Sequence, residues 1–264
     1  MPGEHVVDGR IDKIVDNLGE VRPTFMAAAP RIFEKVYGKL TLGMQEEGGA
    51  KAKIFDFAAE TARQYSQALS DGRKPGALLG VRHKIADKLV FAKVRDRFGG
   101  RVRFFISGSA ALNTDIAHWF NGAGLPILEG YGLTETSAAA TVNRPYALRV
   151  GTVGWPNVQT EIKVAEDGEI LVRGEHVMEG YHNNPEATAE VLTEDGWFHT
   201  GDIGEVDADG FVKITDRKKD LFKTSNGKYV APSQIESTFK GLCPYVGQLL
   251  VHGENRQFVT ALVT

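Results

Sequence analysis

The chain has almost no cysteine. Its one Cys, Cys243 among 264 residues, cannot close an internal disulfide, which excludes a disulfide-stapled scaffold and fits a reducing compartment. It has no surplus of positive charge. Lys and Arg total 31 against 34 Asp and Glu, a net charge of -3, and this excludes a nucleic-acid binder that works by bulk charge. No run approaches the roughly 18 apolar residues needed to cross a bilayer. The opening MPGEHVVDGR has no basic stretch followed by an apolar one, so it does not read as a secretory leader, and a cytoplasmic location is expected. The seven His residues form no H-E-x-x-H and no Cys/His pairing, which argues against a structural zinc site. A Walker A loop is also missing: Gly227-Lys228 runs into Tyr229, and Phe222 stands where the first Gly belongs. No G-x-G-x-x-G opens a helix after a strand.

What is present is ordinary globular composition, 42% hydrophobic and 25% charged, in a length that suits one to two domains. Charge is segregated. Residues 82–103 hold eight Lys/Arg and two Asp, residues 161–209 hold fourteen Asp/Glu and two Lys/Arg, and residues 213–228 hold six Lys/Arg and two Asp. The first basic run reads as a solvated face. The second sits among turn residues, where it could meet an anionic ligand.

The first half reads helical. Ala50–Leu69 and Val81–Phe98 lack internal Pro and, until Gly99-Gly100, Gly; Val81, Ile85, Leu89 and Ala92 line one helix face. Arg101–Ile106 then reads as a short strand, Asn113 or Thr114 as the cap of a helix over Asp115–Phe120, and Leu125–Leu128 as another strand. This is the βαβ grammar of a mostly parallel sheet. The second half reads as hairpins. Glu161–Val164 pairs with Glu169–Val172, Gly204–Val206 with Phe211–Ile214, and Val246–His252 with Phe258–Val263, the first two across Asp-Gly turns. The fold class expected is α/β. A boundary between two units is expected near Asp216–Lys219, where a strand ends and charge density jumps.

Four segments place Gly with hydroxyl or carboxylate residues directly after a strand, where open α/β sheets bind ligands. In Glu129-Gly130-Tyr131-Gly132-Leu133-Thr134-Glu135-Thr136-Ser137, Tyr131 offers an aromatic face, Thr134 a hydroxyl donor and Glu135 a hard oxygen ligand suited to Mg²⁺. An ordinary glycine turn competes. In Ser107-Gly108-Ser109-Ala110-Ala111, small residues let a flat ring lie on the backbone, against tight strand–helix packing as the plainer alternative. In Trp197-Phe198-His199-Thr200-Gly201-Asp202, Asp202 can accept from ribose hydroxyls or merely stabilise its own turn, and His199 is a hydrogen-bonded turn residue sooner than a base. In Asp216-Arg217-Lys218-Lys219-Asp220-Leu221-Phe222-Lys223, Arg217 can fork onto ribose or phosphate oxygens, or belong to a solvated charge run.

In this order the four segments resemble the adenylate-forming enzyme family, which includes acyl-CoA synthetases, firefly luciferase and the adenylation domains of peptide synthetases. Val150-Gly151-Thr152-Val153-Gly154-Trp155-Pro156, Gly180-Tyr181 with Pro185-Glu186-Ala187-Thr188, and Ala231-Pro232 with Ile235-Glu236 extend the likeness over essentially the whole chain. Phe25-Met26-Ala27-Ala28-Ala29-Pro30-Arg31-Ile32-Phe33-Glu34-Lys35-Val36-Tyr37 and Asp216–Leu221, followed by Thr224-Ser225-Asn226-Gly227-Lys228, are similar to bacterial long-chain fatty-acid–CoA ligases.

The resemblance implies a partial large domain over residues 1–217, with a mixed or parallel sheet, helices and a β-hairpin subdomain. The start of a small α+β domain follows over 218–264. It implies activation of a fatty acid by ATP to an acyl-adenylate and pyrophosphate, then displacement of AMP by CoA. Ser109, Ala110 and Tyr131 would hold adenine, and Thr134 the α-phosphate. Glu135 would hold Mg²⁺, and Asp202 and Arg217 the ribose. Lys219 would be the hinge, and Lys223 would contact the adenylate during thioester formation. A fatty-acid substrate is compatible with peripheral membrane association, though no amphipathic anchor is evident. Nothing in Met1–Thr24 resembles the family's Ser/Thr/Gly-rich phosphate loop, and the family's adenylation lysine would lie beyond Thr264. The resemblance therefore implies the middle of such an enzyme, with weak or absent adenylation on its own.

Overall fold

The computed structural model describes residues 13–243, 246 and 248–264, without the side chains of 240–242. The opening MPGEHVVDGR and residue 247 of the expected strand Val246–His252 lie outside the described residues. The chain divides into two compact units, residues 1–128 and 129–264.

The first unit is helical around a short parallel strand pair. Its elements are α1 (Ile14–Val21), β1 (Phe25–Ala28), α2 (Pro30–Glu47), α3 (Gly49–Ser70), α4 (Ala77–Ala86), a π turn (Asp87–Phe91), α5 (Ala92–Arg97), β2 (Phe104–Ser107) and α6 (Thr114–Gly122). Strand β1 pairs in parallel with β2, Phe25 opposite Phe104 and Ala28 opposite Ser107, with a helical crossover between them. The Asn113 side chain caps α6, accepting from the N–H groups of Asp115 at 3.0 Å and Ile116 at 3.1 Å. Edge-to-face rings form the core: Phe33 against Phe105 (5.4 Å) and Phe120 (5.8 Å), and Trp119 against Phe120 (5.0 Å).

The helix expected over Val81–Phe98 is interrupted, and its expected apolar face is not the buried one. Val81, Ile85 and Leu89 are exposed, whereas Ala86, Phe91, Val94 and Phe98 are buried. The π turn inserts one residue into the repeat, so Ala86 and Phe91 face the core five positions apart. A periodicity read at 3.6 residues per turn loses phase across such an insertion.

Strand β3 (Ile127–Leu133) leads into the second unit. A 3₁₀ turn (Thr134–Thr136) follows, then β4 (Ala138–Val142), β5 (Trp155–Pro156), β6 (Glu161–Val164), β7 (Glu169–Arg173), α7 (Pro185–Val191), β8 (Phe198–Val206) and β9 (Val212–Arg217). The remaining elements are β10 (Phe222–Lys223), β11 (Tyr229–Val230), α8 (Pro232–Leu242), β12 (Leu249–His252) and β13 (Thr260–Val263). Strands β6 to β9 form an antiparallel sheet in sequence order. Its β6–β7 and β8–β9 pairs are the two hairpins that the Asp-Gly turns predict, and Ile170, Val172 and Val212 are fully buried together with Ala140 of β4. Strands β12 and β13 pair antiparallel, Leu249 opposite Val263, as the third expected hairpin.

Two of the expected loops are strands. Tyr131-Gly132-Leu133 belongs to β3 and pairs with β4 through a bulge between Tyr131 and Gly132, while Phe198–Asp202 is the first half of β8. Gly132 makes the first possible: a Cβ there would meet the Ala138 carbonyl oxygen at 1.8 Å, so only glycine lets the two strands approach. Both motifs lie at bulges, which re-aim side chains without breaking the strand.

Candidate functional site

The second unit brings Tyr131, Asp202 and Arg217 together. Asp202 N–H is turned onto the Thr200 hydroxyl at 3.1 Å, which leaves the carboxylate free to point away from its own backbone. One carboxylate oxygen accepts the Tyr131 hydroxyl at 2.6 Å, and the other faces Arg217 Nε at 3.3 Å. Asp202 stands directly opposite Arg217 in the β8–β9 register, so the sheet itself sets the ion pair. Asp202 is only 4% exposed, whereas the Arg217 side chain is 53% exposed. The carboxylate is thus buried at its base, and its partner guanidinium is open to solvent on the other side.

Electrostatics follow from that burial. Desolvation pushes the Asp202 carboxyl above the usual carboxylate range, with Asp220 and Glu169 adding repulsion; the Tyr131 hydroxyl and Arg217 pull it back in part. Burial, and then the hydrogen bond to Asp202, push the Tyr131 phenol well above its ordinary value, so it remains a donor at any physiological pH.

Glu135 lies in the 3₁₀ turn. One carboxylate oxygen accepts the Tyr181 hydroxyl at 2.9 Å, and the Glu135 carbonyl accepts Met178 N–H at 2.7 Å, which ties the turn to the Gly180-Tyr181 segment. Among the described residues no group of three His, Cys, Asp or Glu side chains could hold a metal ion. A single carboxylate beside substrate phosphates, with water completing the shell, is nonetheless the usual Mg²⁺ arrangement, and the donor set fits it. Thr134 is exposed at the start of the same turn.

Ser109 and Ala110 lie in the first unit on the exposed bend after β2, Ser109 with φ 71°. Lys219 is exposed in a turn closed by hydrogen bonds from Asp220 and Leu221 N–H to the Arg217 carbonyl. Lys223 lies on β10 with its ammonium 5.2 Å from the Tyr229 ring centroid.

Sequence reasoning missed Glu169 and Lys218. Glu169, 5% exposed, accepts from Gly201 N–H at 2.8 Å, faces His199 Nδ1 at 3.1 Å and pairs with Lys218 Nζ at 3.0 Å. Burial pushes its carboxyl up, but these three donors outweigh burial and hold it below the usual range. The visible clue was an acid opening the otherwise apolar strand Glu169-Ile170-Leu171-Val172.

The AMP-binding enzyme family profile matches residues 1–182. The chain belongs to this family. It is 42% identical over 254 residues to a long-chain-fatty-acid–CoA ligase of Mycobacterium bovis, covering 96% of this chain and 42% of that protein. It is 36% identical over 262 residues to a peroxisomal long-chain acyl-CoA synthetase of Arabidopsis thaliana, covering 94% of this chain and 36% of that one. This member of the AMP-binding family thus spans less than half the length of the curated relatives it matches. Among solved structures, the adenylation domain of a carboxylate reductase from Mycobacterium chelonae aligns with a TM-score of 0.69 at 24% identity, over 96% of this chain and 36% of that one. An O-succinylbenzoate coenzyme A synthetase from Bacillus subtilis in complex with AMP aligns with a TM-score of 0.63 at 20% identity, over 96% and 44%. These likenesses establish the α/β fold. Among the described residues, no helix is long and apolar enough to cross a membrane.

Proposed function

We propose that this chain carries the nucleotide-handling part of an AMP-forming long-chain fatty-acid–CoA ligase. The single observation that supports this best is the Tyr131–Asp202–Arg217 cluster. A buried carboxylate is held by one phenol and one half-exposed guanidinium, with accepting capacity left for a vicinal diol. In this reading Asp202 and Arg217 bind the ribose, and Tyr131 flanks the adenine.

A fatty-acid carboxylate is a poor acyl donor. Its attack on the α-phosphorus of ATP forms the mixed anhydride and expels pyrophosphate. Thr134 donates its hydroxyl to an α-phosphate oxygen where charge develops. Glu135, oriented by Tyr181, would hold a Mg²⁺ that screens the phosphate charges. CoA thiolate then attacks the acyl carbon and AMP leaves, with Lys223 at the adenylate for that step. Lys219, in its exposed turn, is the hinge between a large part ending at Arg217 and a small part beginning at Lys218.

The test is binding of a non-hydrolysable palmitoyl-adenylate analogue. It should bind at least about tenfold tighter than AMP, a gain of about 1.4 kcal/mol from acyl burial. Absence of binding by either ligand overturns the reading. A second reading, in which the acyl group passes to a carrier protein, is favoured by the likeness to the A-PCP didomain of a carboxylic acid reductase from Segniliparus rugosus. Supplied with palmitoyl-adenylate, the protein should transfer the palmitoyl group to CoA and release AMP. Transfer only to a phosphopantetheinyl carrier protein would support the second reading instead.

A further inference from the structure

Strand β8 is bulged at the residues that carry Asp202. Glu169 pairs with Ile203 and Leu171 with His199, so Ile170 alone stands against Thr200, Gly201 and Asp202. A bulge of this kind strips backbone groups of their ladder partners, and each must be satisfied elsewhere. The Thr200 hydroxyl donates to the Ile170 carbonyl at 2.7 Å. Gly201 N–H donates to Glu169 Oε1 at 2.8 Å, and the Gly201 carbonyl accepts Lys218 N–H at 2.8 Å. The Lys218 ammonium returns to Glu169 Oε2 at 3.0 Å and to Asp167 at 2.6 Å, while His199 Nδ1 faces the same Oε2 at 3.1 Å. Both sides of the Gly201 peptide are therefore tied, directly or through Lys218, to one carboxylate whose side chain is 6% exposed.

We infer that Glu169 is a positioning residue for ribose recognition: it braces the Thr200-Gly201-Asp202 bulge and so aims the Asp202 carboxylate, without touching ligand itself. The inference rests on the reading of Asp202 as the ribose acceptor. It assigns the buried acid a task that packing does not demand, because an isosteric apolar residue would fill the same space. The same carboxylate holds Lys218, next to Lys219, so the ribose bulge and the turn after β9 are fastened at one point.

The experiment compares AMP with 2′,3′-dideoxy-AMP, which lacks the hydroxyls that Asp202 would accept, on the wild-type chain, Glu169→Ala and Glu169→Gln. Hydrogen exchange at the Gly201 amide is read in parallel. The wild type should prefer AMP by about tenfold or more, as for hydrogen bonds to a charged group. Glu169→Ala should weaken AMP by about tenfold, leave dideoxy-AMP within about twofold, and raise Gly201 exchange by about tenfold or more. Glu169→Gln keeps an acceptor for Gly201 N–H but loses the charge, and should weaken AMP by about threefold with dideoxy-AMP again unaffected. Equal weakening of both nucleotides means a general structural role and overturns the inference. So does an unchanged Gly201 amide, or AMP affinity unchanged while that amide is freed. If Glu169→Ala does not fold, Glu169→Gln decides by the same two ratios. If the wild type does not distinguish the two nucleotides, the ribose reading of Asp202 fails. Gly201 exchange then still separates a bulge that Glu169 braces from one that it does not.

Discussion

The Tyr131 hydroxyl donates to a carboxylate oxygen of Asp202 at 2.6 Å, joining β3 to β8 across 71 residues of sequence. This bond keeps a buried carboxylate satisfied before any ligand arrives. Tyr131→Phe should therefore destabilise the protein by about 1–3 kcal/mol, the cost of leaving a buried acceptor short of its donor. Urea unfolding checks it; a loss below about 0.5 kcal/mol would mean that solvent replaces the phenol.

Glu169 sets a pH dependence of opposite sense to that of Asp202. Its folded carboxyl lies below the ordinary value, so its contribution is complete above the unfolded pKa and is lost as pH falls through the folded one. The stability difference between wild type and Glu169→Gln should be present at neutral pH and vanish in acid, below the usual glutamate range. Asp202 lies above its ordinary value, so ionising it in the folded state opposes stability as pH rises from the unfolded pKa to the folded one. The wild type should accordingly gain on Asp202→Asn as pH drops through that window. Parallel melting curves for wild type and each variant across pH would contradict both assignments.

Two glycines should respond to alanine for different reasons. At Gly132 the new Cβ meets Ala138 backbone at 1.8 Å, so β3 and β4 must separate. At Gly201 nothing lies within 4 Å, but φ is 71°. Gly201→Ala should cost about 1–2 kcal/mol of left-handed strain, and Gly132→Ala more than about 3 kcal/mol. Chemical denaturation ranks them, and the reverse order would show that β3 and β4 do not approach closely at Gly132.

Much of this was legible in the residues. Asp167-Gly168 and Asp209-Gly210 marked their hairpins because positive-φ turns have few sequence solutions, and Asn113-Thr114 marked a helix start because either side chain can replace a missing backbone acceptor, a role that Asn113 takes. Tyr131, Asp202 and Arg217 were singled out separately, and the fold brings them within hydrogen-bonding or ion-pair distance. Glu169 was not found, because a carboxylate at a strand start looks like an ordinary solvated edge until the bulge opposite presents its Gly201 N–H. The Val81–Leu89 stripe misled because its periodicity is local while burial is decided by the π turn that shifts Phe91 inward.

Glu135 provides a metal-specific prediction. Glu135→Ala should abolish the gain in ATP affinity that Mg²⁺ provides and leave AMP affinity within about twofold, since AMP needs no metal to neutralise a triphosphate. Calorimetry with and without Mg²⁺ checks it. An equal Mg²⁺ effect on ATP binding in wild type and variant would remove Glu135 from the metal role.

The most direct test of the account is a titration of AMP into the wild-type chain and into Asp202→Ala. The wild type should bind AMP, and the variant should bind it at least about tenfold more weakly, as expected when hydrogen bonds to a charged acceptor are lost. Equal affinities, or no binding by the wild type, would contradict the assignment of this cluster to the nucleotide.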